Sequence, residues 1–484
     1  VQARGARAPA SPPGFSLQAP PAAFPQKGRF PLQSLAHAQH QAHRSFYRHH
    51  FKPIALFINR KENHLMHFCV VIQKPKSMRL IYFLTVCLLA AACTPKPAEF
   101  KTGVWRGLID MQGQQLPFNF EVAKDDSGYK VYLLNAEEKL LQDEITVTHD
   151  SVKIVMLIFD IELQAKINGN TLSGTYIKNY DPKNKLPFTA TFGEDYRFVK
   201  KGTASTNFTG KYQLTFHSEK ESYPAVGVIK QEDNIVTGTF LTPTGDYRYL
   251  QGNVIENKAW LSTFDGNHAF LFSAFIDGDS LRGDFYSGKT SHETFSGIKN
   301  ENAALPDLES LTFLKEGYDQ ISFSFPDVDN NMISPSDEKY DKKVLILQLF
   351  GTWCPNCMDE TKFLAQWYKE NNQRGVEILG LAYERKPDFE YASGRVKKMK
   401  EKLNVPYDFV IAGTNDKEKA AETLPMLNKV IAFPTTIFIG KDGKVKHIRT
   451  GFEGPGTGIY YEQFKERFNQ IVNELLAEDL SSKK

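Results

Sequence analysis

The C-terminal part of this chain reads as an α/β domain, a mixed sheet flanked by helices, preceded by a duplicated antiparallel all-β region. Three observations predict this. From about residue 340, continuous apolar runs alternate with helical patterns, as buried parallel strands and their crossovers do. Residues 98–300 instead show short alternating runs broken by turn residues. Within that stretch one segment is echoed by a second about a hundred residues later.

At 484 residues the chain has room for roughly two to four domains. Its formal charge of +3 is unevenly spread. Residues 1–92 are strongly basic, with Glu62 as their single acid, and the remainder carries more Asp and Glu than Lys and Arg. A mildly acidic body gives no reason to expect nucleic acid as a partner. Residues 1–77 are rich in Ala, Pro, Gln and His and lack a period of 2 or 3.6. They are expected to be an upstream extension foreign to the natural protein, or else a disordered basic arm.

From Met78 the chain reads MRLIYFLTVCLLAAAC. One positive charge, an apolar run and three alanines precede Cys93, the three-part layout of a secretory signal over 78–92. The apolar run is short for a membrane span. A cysteine directly after small residues resembles a bacterial lipoprotein signal. That resemblance implies cleavage before Cys93 and lipidation of its thiol. Ala90 stands where such signals most often carry Leu. Residues 93–99, with Thr94-Pro95-Lys96-Pro97, read as a tether. The expected location is the cell envelope of a bacterium, lipid-anchored to a membrane and facing the periplasm.

Cleavage there leaves Cys93, Cys354 and Cys357. With Cys93 lipidated, one Cys-x-x-Cys pair stands alone. That is redox arithmetic rather than a disulfide framework or a four-ligand zinc site, and no metal or cofactor is expected.

Two β units are expected over 100–200 and 206–300, as small barrels or sandwiches. Turn signals fall at Asp126-Ser127-Gly128, Asn168-Gly169-Asn170, Thr244-Gly245-Asp246 and Asp277-Gly278-Asp279. The echo runs from Ala165-Lys166-Ile167-Asn168-Gly169-Asn170 to Ala274-Phe275-Ile276-Asp277-Gly278-Asp279, and each copy follows a Gly-x-aromatic start, Gly103-Val104-Trp105 and Gly210-Lys211-Tyr212. No chemistry is visible here. His149, His217, His268 and His292 lack ligand spacing and read as ordinary surface or strand residues. The units read as a spacer or a partner-docking module.

Residues 301–320 read as a polar linker, and 321–478 as the α/β domain. Val344–Phe350 is a buried strand, 355–371 a helix ended by Gly375, and 376–382 a second strand. A charged helix over 387–403, a strand over 407–411 and a helix over 416–427 follow. A hairpin spans 436–450 and an amphipathic helix 460–477. The glycine-rich segment 451–458 lacks the Lys-Ser/Thr of a phosphate loop and reads as a mobile loop near the active face.

Cys354-Pro355-Asn356-Cys357 sits where the first buried strand meets its helix. A helix N-terminus favours thiolate over thiol, and Pro355 suits the first turn, where no N–H is needed. Cys354, the outer thiol, is expected to attack and Cys357 to resolve the mixed disulfide.

The stretch VLILQLFGTWCPNCMDE, with Phe433-Pro434-Thr435 about eighty residues later, resembles the thioredoxin superfamily and specifically its extracytoplasmic TlpA/ResA-like branch, related to AhpC/TSA proteins. The upstream Phe323-Ser324-Phe325-Pro326-Asp327 resembles the hairpin that branch adds. The resemblance implies a thioredoxin fold, a cis peptide before Pro434, and substrate contacts at Trp353, Pro355, Phe433, Pro434 and Thr435. It also implies that Glu360 tunes the cysteines or relays a proton. Taken alone, Glu360 equally reads as an exposed carboxylate on the first helical turn. Gln348 stands where thioredoxin itself has a buried aspartate, Pro355 follows the first cysteine, and Phe433 is bulky for its position. These departures leave the redox potential open.

The expected function is a membrane-anchored thiol–disulfide oxidoreductase reducing disulfide-containing protein substrates. The resemblance implies re-reduction by a membrane electron donor of the DsbD/CcdA type, with cytochrome c maturation as one family task. One alternative is a thiol peroxidase, against which stand Gly351 and Leu347 where peroxiredoxins need Thr and Pro. The other is a ligand- or partner-binding surface lipoprotein with an accessory redox module.

Overall fold

The computed structural model describes residues 98–479. Cys93, the signal segment and residues 1–77 lie outside the described residues. Residues 98–479 fall within one compact unit.

The first β unit holds β1 (Gly103–Met111), β2 (Gln114–Asp125), β3 (Gly128–Asn135), β4 (Glu138–Gln142) and β5 (Glu144–Val147). It continues with β6 (Ser151–Met156), β7 (Ile161–Asn168), β8 (Thr171–Lys178) and β9 (Lys185–Phe192). Neighbours in sequence are neighbours in the sheet, and β9 returns to β1. The ring is open at one seam, where β4 and β5 do not pair. Buried positions alternate along β1 and β7, the period of a strand with one face inward. Trp105, Phe118, Phe120 and Phe188 are among the side chains that fill the inside.

The second β unit holds β10 (Gly210–His217), β11 (Ser222–Glu232), β12 (Ile235–Thr242), the two-residue β13 (Gly245–Asp246) and β14 (Leu250–Ile255). It ends with β15 (Lys258–Phe264), β16 (Ala269–Asp277), β17 (Ser280–Ser287) and β18 (Ser291–Lys299). It has the same up-and-down order, and pairing of β10 with β18 and of β11 with β12 closes it as a barrel. Phe216, Phe240, Phe272, Phe285 and Phe295 pack its interior, with Phe272 stacked on Phe285 at 4.4 Å between ring centres.

Residues 301–320 form no helix or strand, but they are docked rather than a loose linker. Ala303, Leu308 and Thr312 are buried, and the Lys315 N–H donates to the Met426 carbonyl at 2.8 Å.

The C-terminal domain opens with a small hairpin, β19 (Phe325–Pro326) and β20 (Met332–Ile333). Then come β21 (Val344–Phe350), α1 (Pro355–Asn371), β22 (Val376–Glu384), α2 (Phe389–Lys402), β23 (Asp408–Thr414) and α3 (Lys417–Thr423). The hairpin strands β24 (Thr435–Ile439) and β25 (Val445–Thr450) and the last helix α4 (Ile459–Ala477) complete it. The sheet order is β23-β22-β21-β24-β25, parallel through β21–β23 and antiparallel at β24 and β25. Every residue of β21 and β22 is buried, which explains their unbroken apolar runs.

The helix expected over 416–427 stops at Thr423, because Pro425 follows Leu424 and disfavours helical geometry in the residue before it. The glycine-rich loop after β25 is pinned: Phe452 is buried, and the Gly454 N–H donates to Asp246 Oδ2 at 2.7 Å.

Candidate active site

Cys354 and Cys357 are joined as a disulfide at the N-terminus of α1, with Cα atoms 5.2 Å apart. Cys354 is the N-cap. Its sulfur accepts from the Cys357 N–H at 3.1 Å, and Pro355 takes the first helical position. Cys354 is 6% exposed and lines a cleft, whereas Cys357 is fully buried, so the outer sulfur is the accessible one of the pair.

The Phe433–Pro434 peptide is cis, and the Phe433 carbonyl oxygen lies 3.5 Å from the Cys354 sulfur. Trp353 donates its indole N–H to the Tyr383 carbonyl at 2.9 Å and meets Phe433 edge-on, ring centres 5.8 Å apart. The Pro434 carbonyl accepts from the Gly451 N–H, and the Thr435 hydroxyl donates to the Ala432 carbonyl. Of the residues around the cis peptide, Phe433 lines the cleft beside Cys354.

Glu360 is not an exposed carboxylate of the first turn; it is buried. Gln348 Nε2 donates to it at 2.8 Å and the Thr436 hydroxyl at 2.7 Å. Burial pushes its carboxyl up to about 7, and those two hydrogen bonds only partly offset the effect. Gln348 also lies 3.5 Å from the Cys357 carbonyl. The residue that stands in place of a buried acid thus holds one, Glu360, one helical turn below Cys357. A carboxyl that titrates near neutrality can give or take a proton there.

The sequence did not disclose the other wall of the site. Cys354, Trp353, Pro355, Asn356 and Phe433 share a cleft of about 260 Å3 with residues of the second β unit, among them Thr244, Asp246, Tyr247 and His268. The β12–β13 turn presses onto the redox motif: Asn356 Nδ2 donates to the Asp246 carbonyl at 3.1 Å. Gly245 has φ +135°, and a Cβ there would stand 2.6 Å from Asn356 Nδ2, so this close approach requires glycine. Asn267 Nδ2 donates to the Trp353 carbonyl at 2.9 Å.

Arg248 ties the three regions together. It is 2% exposed and reaches Glu138 of the first unit at 2.5 Å, Asp265 of the second at 3.2 Å, and Asp359 of α1. It also donates to the Pro355 carbonyl, between the two cysteines, at 3.3 Å. Arg385 adds a further link, its guanidinium 3.8 Å from the Tyr180 ring centre and 5.2 Å from that of Trp353.

The second β unit is therefore part of the active-site wall, and His268 is no ordinary surface residue. The local clue in the sequence was Asp265-Gly266-Asn267-His268, a turn in which an aspartate can cap the histidine three positions on. Among the described residues no cluster of His, Cys, Asp or Glu could hold a metal ion, and no helix is long and apolar enough to cross a membrane.

The AhpC/TSA family model matches residues 317–448. The thiol-disulfide oxidoreductase ResA of Bacillus subtilis (strain 168) is 28% identical over 150 residues, which is 31% of this chain and 74% of that protein. ResA of Geobacillus thermodenitrificans (strain NG80-2) is 31% identical over 112 residues, 23% of this chain and 57% of that protein. A thioredoxin-family thiol:disulfide interchange protein from Chlorobium tepidum TLS is similar in structure, at 24% identity and a TM-score of 0.26, covering 34% of this chain and 99% of that one.

Proposed function

The C-terminal region of the chain is a TlpA/ResA-like member of the thioredoxin superfamily and a thiol–disulfide oxidoreductase, and from that premise we propose that the whole protein is a membrane-anchored reductase of disulfides in extracytoplasmic proteins. The Cys354 thiolate attacks a substrate disulfide, Cys357 resolves the mixed disulfide, and Glu360 manages the proton at Cys357. Lipid on Cys93 anchors the chain on the periplasmic side. A membrane dithiol donor of the DsbD/CcdA type returns the pair to the reduced state, with cytochrome c maturation as one task such a reductase serves.

The observation that carries this reading is the Cys354–Cys357 pair at the N-terminus of α1 with the Glu360 carboxyl buried beneath it. Burial pushes that carboxyl up to about 7, so it can take the proton that Cys357 gives up in resolution and return it on re-reduction. The peroxidase alternative lacks its threonine and proline, with Gly351 and Leu347 in those places.

The test is the reduction potential of the full chain, equilibrated against a glutathione series and read by thiol alkylation. A potential near that of thioredoxin, about −270 mV, supports the reductase; one near about −120 mV, in the range of strong oxidants, overturns it.

A further inference from the structure

In thiol–disulfide exchange two sulfurs need proton management, the resolving thiol of the enzyme and the thiolate that leaves the substrate. Glu360 is sealed on the protein side of the disulfide, hydrogen-bonded to Gln348 and Thr436. It can serve Cys357, but the substrate sulfur departs on the other side, into the cleft that Cys354 lines.

We propose that His268 of the second β unit is the acid–base residue for that departing sulfur. The proposal rests on the oxidoreductase reading above and adds a residue from outside the thioredoxin-like domain. His268 lines the same cleft as Cys354. It is fastened there, because the preceding Asn267 donates to the Trp353 carbonyl, directly before Cys354 in the chain. The first β unit braces the same turn: Tyr176 and Lys178 reach the Asn267 backbone carbonyl, each at 3.3 Å, and Tyr180 reaches its side chain. The ring stacks on Phe270 at 4.3 Å.

Asp265 defines which ring nitrogen works. Its carboxylate accepts from the backbone N–H of Asn267 at 3.0 Å and of His268 at 2.7 Å, and stands 2.9 Å from His268 Nδ1. Arg248 lies behind it at 3.2 Å. An ionised aspartate only accepts, so Nδ1 carries the hydrogen and Nε2 is the nitrogen that exchanges protons. Among the described residues Nε2 has no hydrogen-bond partner. The charged groups around the ring are Asp265 and Arg248, Asp246 of β13 across the cleft, Lys417 at the start of α3, and Lys178 against the adjoining backbone.

The Cys354 thiolate attacks one sulfur of R–S–S–R′ and forms Cys354–S–S–R. The S–S bond breaks, R′–S takes the electron pair, and the proton on His268 Nε2 passes to it, giving R′–SH and neutral imidazole. Cys357 gives its proton to Glu360 and attacks the Cys354 sulfur; the Cys354–S–R bond breaks, R–S takes the electron pair and a proton from solvent, and the enzyme disulfide and R–SH remain. Glu360 returns its proton to solvent, and the imidazole regains one from the buffer.

The reduced full chain, wild type and His268→Gln, would be tested in single turnovers at neutral pH with two small neutral disulfides. Hydroxyethyl disulfide releases an alkyl thiolate, whose pKa lies at or above the ordinary thiol value near 8.5, so it gains from a proton donor. Dithiodipyridine releases a thiolate stabilised by its own ring and gains nothing. The expected result is a loss of about a hundredfold on the alkyl disulfide and less than about twofold on the aromatic one. Imidazole in the buffer should partly restore the alkyl rate in His268→Ala. Equal losses on both substrates, or no loss on either, would overturn the proposal. The unchanged aromatic rate also guards against misfolding as the explanation. Wild-type protein inert towards both would sink the oxidoreductase reading, and the proposal with it.

Discussion

Glu360 and Asp265 are both fully buried carboxylates close to the redox helix, and their surroundings drive them in opposite directions. Around Glu360 the polar partners are neutral, Gln348 and Thr436, so burial dominates and raises its pKa to about 7. Around Asp265 burial also opposes charge, but His268, Arg248 and backbone N–H groups outweigh it and hold the carboxyl down to about 2. Depth alone does not set a buried acid's state; the charge and number of its donors do. One side of the disulfide therefore has a group able to change protonation near neutrality, and the other a fixed anion that orients an imidazole.

The largest test of this contrast removes the cation. Arg248→Met would leave Glu138, Asp265 and Asp359 buried without their shared partner. A loss of about 3–5 kcal/mol is expected in denaturant unfolding, from leaving buried charge uncompensated. An unchanged midpoint would show that the carboxylates are neutralised by other means.

Next come the two acids, which should tilt stability in opposite directions with pH. For Glu360 the folded pKa of about 7 lies above the model value of 4.5. Between those values the folded state holds a proton that the unfolded chain has lost, so stability falls as pH rises through that window, by about 3 kcal/mol at most. Glu360→Gln should remove that decline. For Asp265 the folded pKa of about 2 lies below 3.8, so its contribution is present above 3.8 and is lost as pH falls towards 2, by about 2 kcal/mol. Asp265→Asn should flatten that acid limb. Unfolding free energies measured across pH 2–8 (roughly the span of both windows) check both signs.

The smallest effect concerns the fastening between the two sides. Asn267→Ala deletes the bond to the Trp353 carbonyl and should lower stability by about 1 kcal/mol, measurable as a shift in the denaturant midpoint. A neutral outcome would mean that water replaces the amide at that carbonyl.

What could be read in advance follows the range of the interactions. The strand Val344–Phe350 and the helix after it announce themselves through local periodicity and a proline at the first turn. Cys354 and Cys357 were legible because their chemistry requires those residue types at that spacing, and Pro434 through the resemblance that implied a cis peptide before it. Glu360 was legible as a residue but not as a buried one, because its buried partners Gln348 and Thr436 come from two strands distant in the chain. Arg248 and His268 were not legible as site residues. Their partners lie far away in the chain, Arg248 with Asp359 and the His268 turn with Trp353, and no local pattern encodes such pairs. The 301–320 segment misled for the same reason: its polar composition hides the three buried side chains that dock it.

The open seam of the first β unit has a bearing on how this protein is made. Its two unpaired strand edges flank Asp143, and Lys402 at the end of α2 pairs with that residue. Met358 of α1 packs in one cluster with Met156 beside it, and Leu140 and Leu403 lie against that cluster. All of that cover is translated long after β4 and β5. A nascent chain therefore presents a bare sheet edge for the whole time the second barrel is being synthesised, the kind of surface on which other strands add and chains aggregate. The redox domain covers that edge only in part, since Leu141 stays 43% exposed, and the last packing contacts of the first β unit come from the part of the molecule that carries the cysteine pair.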